Sequence, residues 1–227
     1  MKGEKAMGKL EINKKQKKNA LFQTAFDLFT KKGFAKTTIS DIVNQAGLAK
    51  GTFYLYFKDK TDIRNRLISS KATLLFQNAW IKLNQTPLTQ LDEQFIFLTD
   101  EILHALESDK SLLFFLSKHL SWGIFRSSMT EEKTPDGISA REIYKQMIAR
   151  SGCRFDNPEI IIYLVIELVA GASYNAILYQ DPAGIEELKP YLHLLIRRIV
   201  KDFDHAGQTD ACPNPASHSG NAPSEVP

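Results

Sequence analysis

The stretch TTISDIVNQAGLAKGTFYLYF, residues 37–57, decides the fold. Thr38 is a suitable N-cap for a short helix whose apolar residues recur at helical spacing. Gly47 then permits a sharp turn. A second short helix is predicted from about Lys50 to Phe57, with Phe53 and Phe57 one turn apart as core anchors. Two short helices joined by a glycine turn are typical of a helix-turn-helix.

The segments on either side of this motif also have helical periodicity. A first helix is predicted from about Asn13 to Lys32, with an apolar face and with Gly33 as its end. The break at Lys58-Asp59-Lys60 separates the motif from a long helix that begins near Thr61. Further helices are predicted over residues 88–107, 110–127, 137–150, 158–180 and 185–205, and no segment has the alternation of a strand. The sequence therefore predicts an all-α protein.

Four regions follow from this pattern. Residues 1–13 form a basic amino-terminal arm, expected to be flexible, and residues 14–60 form the helix-turn-helix domain. Residues 61–205 form a larger helical body. Residues 206–227 are rich in Pro, Ser, Gly and Asn and have few apolar side chains, so this tail is predicted to be disordered.

Charge is distributed unevenly along the chain. The net charge of +3 hides a front part, residues 1–70, with 15 Lys and Arg against 6 Asp and Glu, whereas the remainder has 14 against 20. A basic region in front of an acidic one is typical of a domain that binds a polyanion, and nucleic acid is the favoured polyanion. A solvated charged face is the alternative.

The helix-turn-helix supplies the candidate DNA contacts. Hydroxyls and backbone N–H groups at the start of its first helix suit a phosphate, and the start of its second helix lies within reach of base edges in the major groove. A glycine there lets the backbone approach closely, and two tyrosines beside the Phe anchors point outward toward sugar and phosphate. The candidates are Thr38, Ser40, Lys50, Gly51, Thr52, Tyr54, Tyr56 and Lys60.

This part of the chain resembles the TetR family of bacterial regulators, over about Gln23 to Leu67. The residues that carry the resemblance are Gly33-Phe34, Thr37-Thr38-Ile39, Asp41-Ile42, Ala46-Gly47-Leu48, Lys50-Gly51-Thr52-Phe53-Tyr54, Tyr56-Phe57 and Lys60. The resemblance implies a three-helix DNA-binding head, a helical ligand-binding body and a homodimer formed by the helices near 158–180 and 185–205. Ala49 departs from the family pattern, because the residue before Lys50 is often a hydroxyl or acidic N-cap.

The body offers a weaker set of candidate effector contacts. Phe115, His119 and Trp122 share one stripe of a predicted helix, although such stripes are more often core. Glu167 lies one turn from Tyr163 and two from Tyr174 on an almost wholly apolar helix, where an unpaired carboxylate is costly. Its partner is either a basic or hydroxyl group within the fold or a cationic or hydrogen-bonding effector.

Several classes of protein lack support in the sequence. Cys153 and Cys212 form no CxxC pair, no His run has metal-site spacing, and the common catalytic motifs are missing. No catalytic residue, metal or cofactor is therefore expected. Residues 160–179 are long enough for a membrane span, but the central Glu167 favours a buried helix. No secretory signal is recognised, so the cytoplasm is expected.

Two functions remain open at this point. The first is a homodimeric repressor that binds a pseudo-palindromic, double-stranded DNA operator and is released by an unknown small-molecule effector. The second is an architectural or division-associated DNA-binding protein that has the same head and no effector. An enclosed cavity in the body would favour the first, and a filled core would favour the second.

Overall fold

A computed structural model of the protein describes residues 2–119 and 140–206, with side chains described for 11–116 and 141–206. Every regular element in these ranges is an α-helix, which confirms the all-α prediction. The helices are α1 (Lys2–Lys31), α2 (Ile39–Gln45), α3 (Lys50–Tyr54), α4 (Lys60–Leu83), α5 (Leu91–Ser108), α6 (Lys110–His119), α7 (Ala140–Ser151), α8 (Pro158–Tyr179) and α9 (Ile185–Phe203).

The first helix is longer than the sequence predicted. It begins at Lys2 rather than near Asn13, so most of the segment expected to be a separate basic arm continues α1. Residues 2–12 contain no proline and consist mainly of Lys, Glu, Ala, Met and Leu, which are good helix formers. Residues 2–12 have no apolar stripe from which a helix could be predicted. Only the helix propensity of their residues favours this extension.

Glycines end α1 and form the turn between α2 and α3, as predicted. Gly33 has φ of +85° and Gly47 has φ of +66°, a region that other residues rarely adopt. A Cβ atom at either position would meet no atom within 4 Å, so conformation rather than space requires glycine. The third helix ends at Tyr54, before the predicted Phe57, although the Phe57 N–H still donates to the Phe53 carbonyl at 2.9 Å.

The buried apolar side chains of the described residues form two clusters. The proximal cluster joins the head, α1 to α3, to the near half of the body, and the distal cluster fills the far half between α4, α5, α7, α8 and α9. Core members of the proximal cluster include Leu21, Phe29, Phe53, Ile63, Leu103, Phe115 and Ile177. The head is therefore packed directly onto the body through α1, α4 and α6.

The helix α8, expected to be buried in the core or at an oligomer interface, is only partly buried in the single chain. By length and composition it could cross a membrane, yet 33% of its most apolar window is buried in this chain. Its outer side exposes Ile160, and the neighbouring α9 exposes Tyr191 and Leu194. Glu167 lies on this exposed side and has no ion-pair partner among the described residues, so the predicted partner within the fold is not found.

Candidate nucleic-acid interface

The start of α2 is fixed by a reciprocal cap between Thr38, which the sequence predicted as the N-cap, and Asp41. The Thr38 hydroxyl accepts a hydrogen bond from the Asp41 N–H at 3.0 Å, and the Asp41 carboxylate accepts one from the Thr38 N–H at 2.9 Å. Such a cap satisfies two backbone donors that a helix terminus would otherwise leave free. Thr38 and Ser40 are both exposed, and the Thr38 hydroxyl hydrogen stays available for a phosphate oxygen.

Asp41 also ties α2 to the end of α1. Its carboxylate pairs with the Lys32 ammonium at 2.8 Å. The hydrogen bond from Lys32, followed by those from Thr38, lowers the pKa of Asp41 to about 2. The carboxylate is therefore ionised at neutral pH and holds Thr38 in position.

Thr37 anchors the turn that precedes α2. Its side chain is fully buried, and its hydroxyl donates to the Gly33 carbonyl at 2.8 Å. Adjacent threonines thus have different roles, since Thr37 faces the interior and Thr38 faces solvent. Only Thr38 belongs to the candidate interface.

Lys60 faces a different environment from the one predicted. Its ammonium donates to the backbone carbonyls of Phe34 and Thr37, both at 2.8 Å, and lies 4.4 Å from the centre of the Phe34 ring. The Ala35 carbonyl is also near, at 3.5 Å. Through these contacts, the Lys60 ammonium holds the turn between α1 and α2 against the start of α4. A phosphate contact by Lys60 stays a prediction.

The start of α3 presents a small, open surface. Lys50 and Gly51 are exposed and Thr52 is partly exposed, and a Cβ atom at Gly51 would meet nothing within 4 Å. Ala49 makes no side-chain cap, as predicted from the departure at this position. The backbone at Gly51 is therefore accessible to a large partner such as a duplex.

The aromatic residues of this region divide into anchors and outward groups. Phe53 and Phe57 are buried, with relative exposures of 0% and 1%, which confirms them as core residues. Tyr54 is 52% exposed, whereas Tyr56 is half-buried and packs against the proximal cluster. Tyr54 is the freer of the two tyrosines to reach a sugar or phosphate.

The turn between α3 and α4 is also held by hydrogen bonds. Asp59 caps α4 by accepting from the Asp62 N–H at 2.8 Å, and the Asp62 carboxylate accepts from the Lys58 N–H at 2.8 Å and from Arg66 at 2.7 Å. Burial alone would raise the pKa of Asp62, but the hydrogen bonds from Arg66 and Lys58 outweigh it, and the pKa is lowered. These bonds fix α3 relative to the body.

Four of the six candidate effector residues of the body have described side chains, and their surroundings differ. Phe115 is 2% exposed and packs edge to face on Phe26, with ring centres 5.3 Å apart, so it faces the head. Tyr163 and Glu167 lie on the exposed side of α8. The half-buried Tyr174 bonds to Tyr179, a contact that raises the pKa of Tyr174. The His119 side chain and Trp122 lie outside the described residues.

Two features of the body were missed by sequence reasoning. The Thr73 hydroxyl on α4 is buried and has no hydrogen-bond partner in the described part of the chain, and no local pattern signals this. An open groove of about 530 Å³ lies where Asp92, Cys153, Arg197 and Lys201 converge. Across the described ranges, no group of three His, Cys, Asp or Glu residues could hold a metal ion.

Similarity to known proteins is strongest in the head. Residues 21–67 match the family described as "Bacterial regulatory proteins, tetR family". The HTH-type transcriptional regulator YerO of Bacillus subtilis is 51% identical over 45 residues, which are 20% of this chain and 16% of YerO. The match thus spans less than a fifth of that relative, and it concerns the head alone.

Two comparisons extend into the body. The probable acrEF/envCD operon repressor of Escherichia coli strain K12 is 24% identical over 156 residues, which are 64% of this chain and 68% of the repressor. The structure of the regulator FadR from Bacillus subtilis in complex with stearoyl-CoA superposes with a TM-score of 0.57 and 16% identity, covering 80% of this chain and 96% of FadR. This second likeness concerns the fold. Residues 21–67, which contain the two short helices α2 and α3, are thus similar to the tetR family of bacterial regulatory proteins.

Proposed function

We propose that this chain is a cytoplasmic, homodimeric transcription repressor that binds a pseudo-palindromic operator and is released from it by a small-molecule effector. The observation that carries the proposal is one exposed surface, formed by Thr38 and Ser40 at the start of α2 and by Lys50, Gly51 and Tyr54 in α3. The capped turns behind this surface hold it on a rigid head. The excess of basic residues in the front part of the chain supports an anionic partner.

The surface offers separate groups for the bases and for the phosphates of a duplex. Lys50 and Thr52 begin the recognition helix, where side chains reach base edges in the major groove. Thr38, Ser40 and Tyr54 offer hydroxyls for the phosphates on either side of the groove. Base contacts supply specificity, and phosphate contacts supply position and salt dependence.

The outer side of α8 and α9 supports a homodimer. Ile160 is 50% exposed, Tyr191 is 67% exposed and Leu194 is 55% exposed, so an apolar surface is left uncovered in the single chain. Covering it with a second copy would give a two-fold dimer with two heads. Such a dimer reads half-sites about 34 Å, or a multiple of that, apart.

A route from body to head supports control by an effector. The ring of Phe115 on α6 packs on Phe26 and is stacked 6.4 Å from Phe29, both on α1. A shift of α6 would therefore move α1 and change the spacing of the two heads. Inside the body, the unsatisfied Thr73 hydroxyl is a polar group that an effector could satisfy.

DNA binding is tested with the purified chain and a duplex from the region upstream of its own gene. We expect binding that weakens steeply with salt and that exceeds binding to a scrambled duplex by about 10³-fold. Lys50→Ala and Thr52→Ala should reduce the preference for the specific duplex, while Lys36→Ala, an exposed lysine outside α2 and α3, serves as control. Equal affinity for both duplexes would contradict the operator claim.

The effector is tested by displacement of the bound duplex. Acyl-CoA thioesters come first in the panel, because the FadR neighbour holds stearoyl-CoA. A compound that releases the wild-type protein but not Thr73→Val would support an effector site in the body. If no compound releases the duplex and the body proves filled, the architectural role without an effector is favoured.

A further inference from the structure

A lysine-rich part of α1 lies outside every contact described so far. Among the side chains of α1 that are described, from residue 11 onward, Leu21 is the first that is buried. With about 1.5 Å per residue, the helix extends about 28 Å from there back to Lys2. Lys14, Lys15 and Lys17 are exposed in this extension, and Lys18 is partly exposed. Among the described residues, none of these four lysines forms an ion pair.

Two of the four lysines, Lys14 and Lys18, lie on the face of α1 that packs into the head, and the other two lie on either side of that face. Lys14, Lys18, Leu21 and Ala25 follow one another at intervals of four, three and four residues, and such spacing places them on one face of the helix. Leu21 and Ala25 are the residues of that face which pack into the proximal cluster. Lys15 and Lys17 flank Lys14 and Lys18, so the buried stripe continues beyond the head as a lysine face.

This lysine face begins beside the end of α3. The Lys18 ammonium lies 5.4 Å from the centre of the Phe22 ring, and the Phe22 ring lies 5.1 Å from the Phe57 ring. Phe57 follows α3 by three residues, next to Tyr56. The extension of α1 therefore leaves the head at the edge of the surface that presents α3.

Four positive charges on two turns repel one another unless an anion lies between them. Glu11 is the nearest acid along the helix in the amino-terminal direction, and the next acid in the other direction is Asp27, which accepts a hydrogen bond from Gln23. A duplex presents one phosphate charge per about 1.7 Å of its axis, a density that matches closely spaced lysines. Continuity with the α3 surface selects this partner.

We propose that the lysine face, Lys14, Lys15, Lys17 and Lys18, binds the DNA phosphate backbone that flanks the half-site contacted by α3. The contact lengthens the footprint of each head and adds affinity that does not depend on sequence. This inference rests on the proposed DNA-binding function and extends it to a surface outside the helix-turn-helix.

The test compares two full-length variants with equal changes in charge. K14Q/K15Q/K17Q/K18Q removes the lysine face, and K110Q/K145Q/R150Q/R154Q removes four exposed cations of the body. Binding to a specific duplex of about 40 base pairs is measured from about 0.05 to 0.2 M salt, with hydroxyl-radical footprinting. The plot of log affinity against log salt should become shallower by about 0.9 per lost phosphate contact in the first variant alone. Its affinity should fall at least about tenfold, and protection should disappear at the outer edges of the footprint.

Four results would overturn the proposal. An unchanged salt slope and footprint would show that the lysine face does not touch DNA. An equal loss of duplex affinity in the body variant would show that net charge, and not the position of the lysines, causes the effect. Loss of binding to anionic phosphatidylglycerol vesicles, with duplex binding intact, would assign the face to a membrane surface. If the wild type binds no duplex at all, the proposed function fails first, and this inference fails with it.

Discussion

Lys60 shows how a residue with an expected role at the surface can be used inside the fold. Its ammonium satisfies the carbonyls of Phe34 and Thr37 and packs over the Phe34 ring. We expect Lys60→Gln to lower the free energy of unfolding by about 1–3 kcal/mol, because both carbonyls lose a charged donor. Urea denaturation measures the change.

Lys58→Gln is the matched control, since Lys58 is an exposed lysine only two residues away. It should leave the free energy of unfolding nearly unchanged. If instead both variants are equally stable and Lys60→Gln reduces the salt slope of DNA binding by about 1, Lys60 is a phosphate contact as the sequence suggested.

Asp41 gives the head a pH dependence in the acid range. Its pKa is about 2 in the folded chain and about 3.8 without the hydrogen bonds from Lys32 and Thr38. Because the folded value is lower, the ionised carboxylate stabilises the head above about pH 4, and this contribution is lost as the pH falls toward 2. The melting temperatures of the wild type and Asp41→Asn should therefore differ at pH 6 and converge near pH 2.

Asp202→Asn supplies the control for this titration, since Asp202 is exposed on α9 and distant in sequence from the cap. Its difference from the wild type should stay small across the same pH range. A constant difference for Asp41→Asn would mean that the cap does not titrate with folding.

Residue roles were predictable from sequence where the partners are local. Thr38 precedes α2 directly, so helix-capping rules were sufficient to predict it as the N-cap. Lys60 bonds to carbonyls 23 and 26 residues away, and the orphaned Thr73 hydroxyl depends on everything packed around it. Neither is visible until the chain is folded.

Among the helices, α6 connects the body to the head. Phe115 was a candidate effector contact on a stripe of a kind that is more often core, and its contacts with Phe26 and Phe29 make it the link between α6 and α1. We expect Phe115→Leu to leave the fold intact, to cost about 1–3 kcal/mol of stability and to loosen α1 and α2. Native-state amide hydrogen exchange would show faster exchange in these two helices.

Phe95→Leu is the comparison for α6, because Phe95 is 3% exposed and belongs to the distal cluster. It should cost a similar amount of stability without a selective effect on α1 and α2. Equal amide exchange of α1 and α2 in both variants would contradict the role of α6 as the connection between body and head.

Helix periodicity predicted which elements exist, but it was less accurate at their ends. The apolar stripe that predicted α1 includes Leu21 and Ala25, and no such stripe indicated an extension to Lys2. The last turn before Phe57 tightens through a bond from the Tyr56 N–H to the Phe53 carbonyl at 3.0 Å, and α3 is consequently shorter than predicted. Terminal hydrogen bonds, rather than side-chain pattern, set these limits.

At the scale of the whole molecule, head and body share one core. The proximal cluster runs from Phe53 in the head to Ile177 in α8, so no break in packing marks the predicted limit at residue 60. The division into head and body was predicted from the charge distribution and the helix-turn-helix motif. Both are properties of the protein surface and do not describe how the core is packed. The core passes without interruption from α1 of the head to α4 and α6 of the body.

The helices α8 and α9 leave an apolar surface uncovered in the single chain. Leu194 is 55% exposed and lies between Tyr191 and Leu195, which are also exposed, so its side chain faces solvent unless a second copy covers it. A carboxylate there would be buried without a partner at a dimer interface, at a cost of several kcal/mol. We expect Leu194→Glu to be monomeric in light scattering, to keep its helical circular dichroism and to bind the operator at least about a hundredfold more weakly, since two linked heads bind more tightly than one. Ile81→Glu, at an apolar residue of α4 that is 53% exposed, should remain dimeric. A dimeric Leu194→Glu would place the interface elsewhere on the chain.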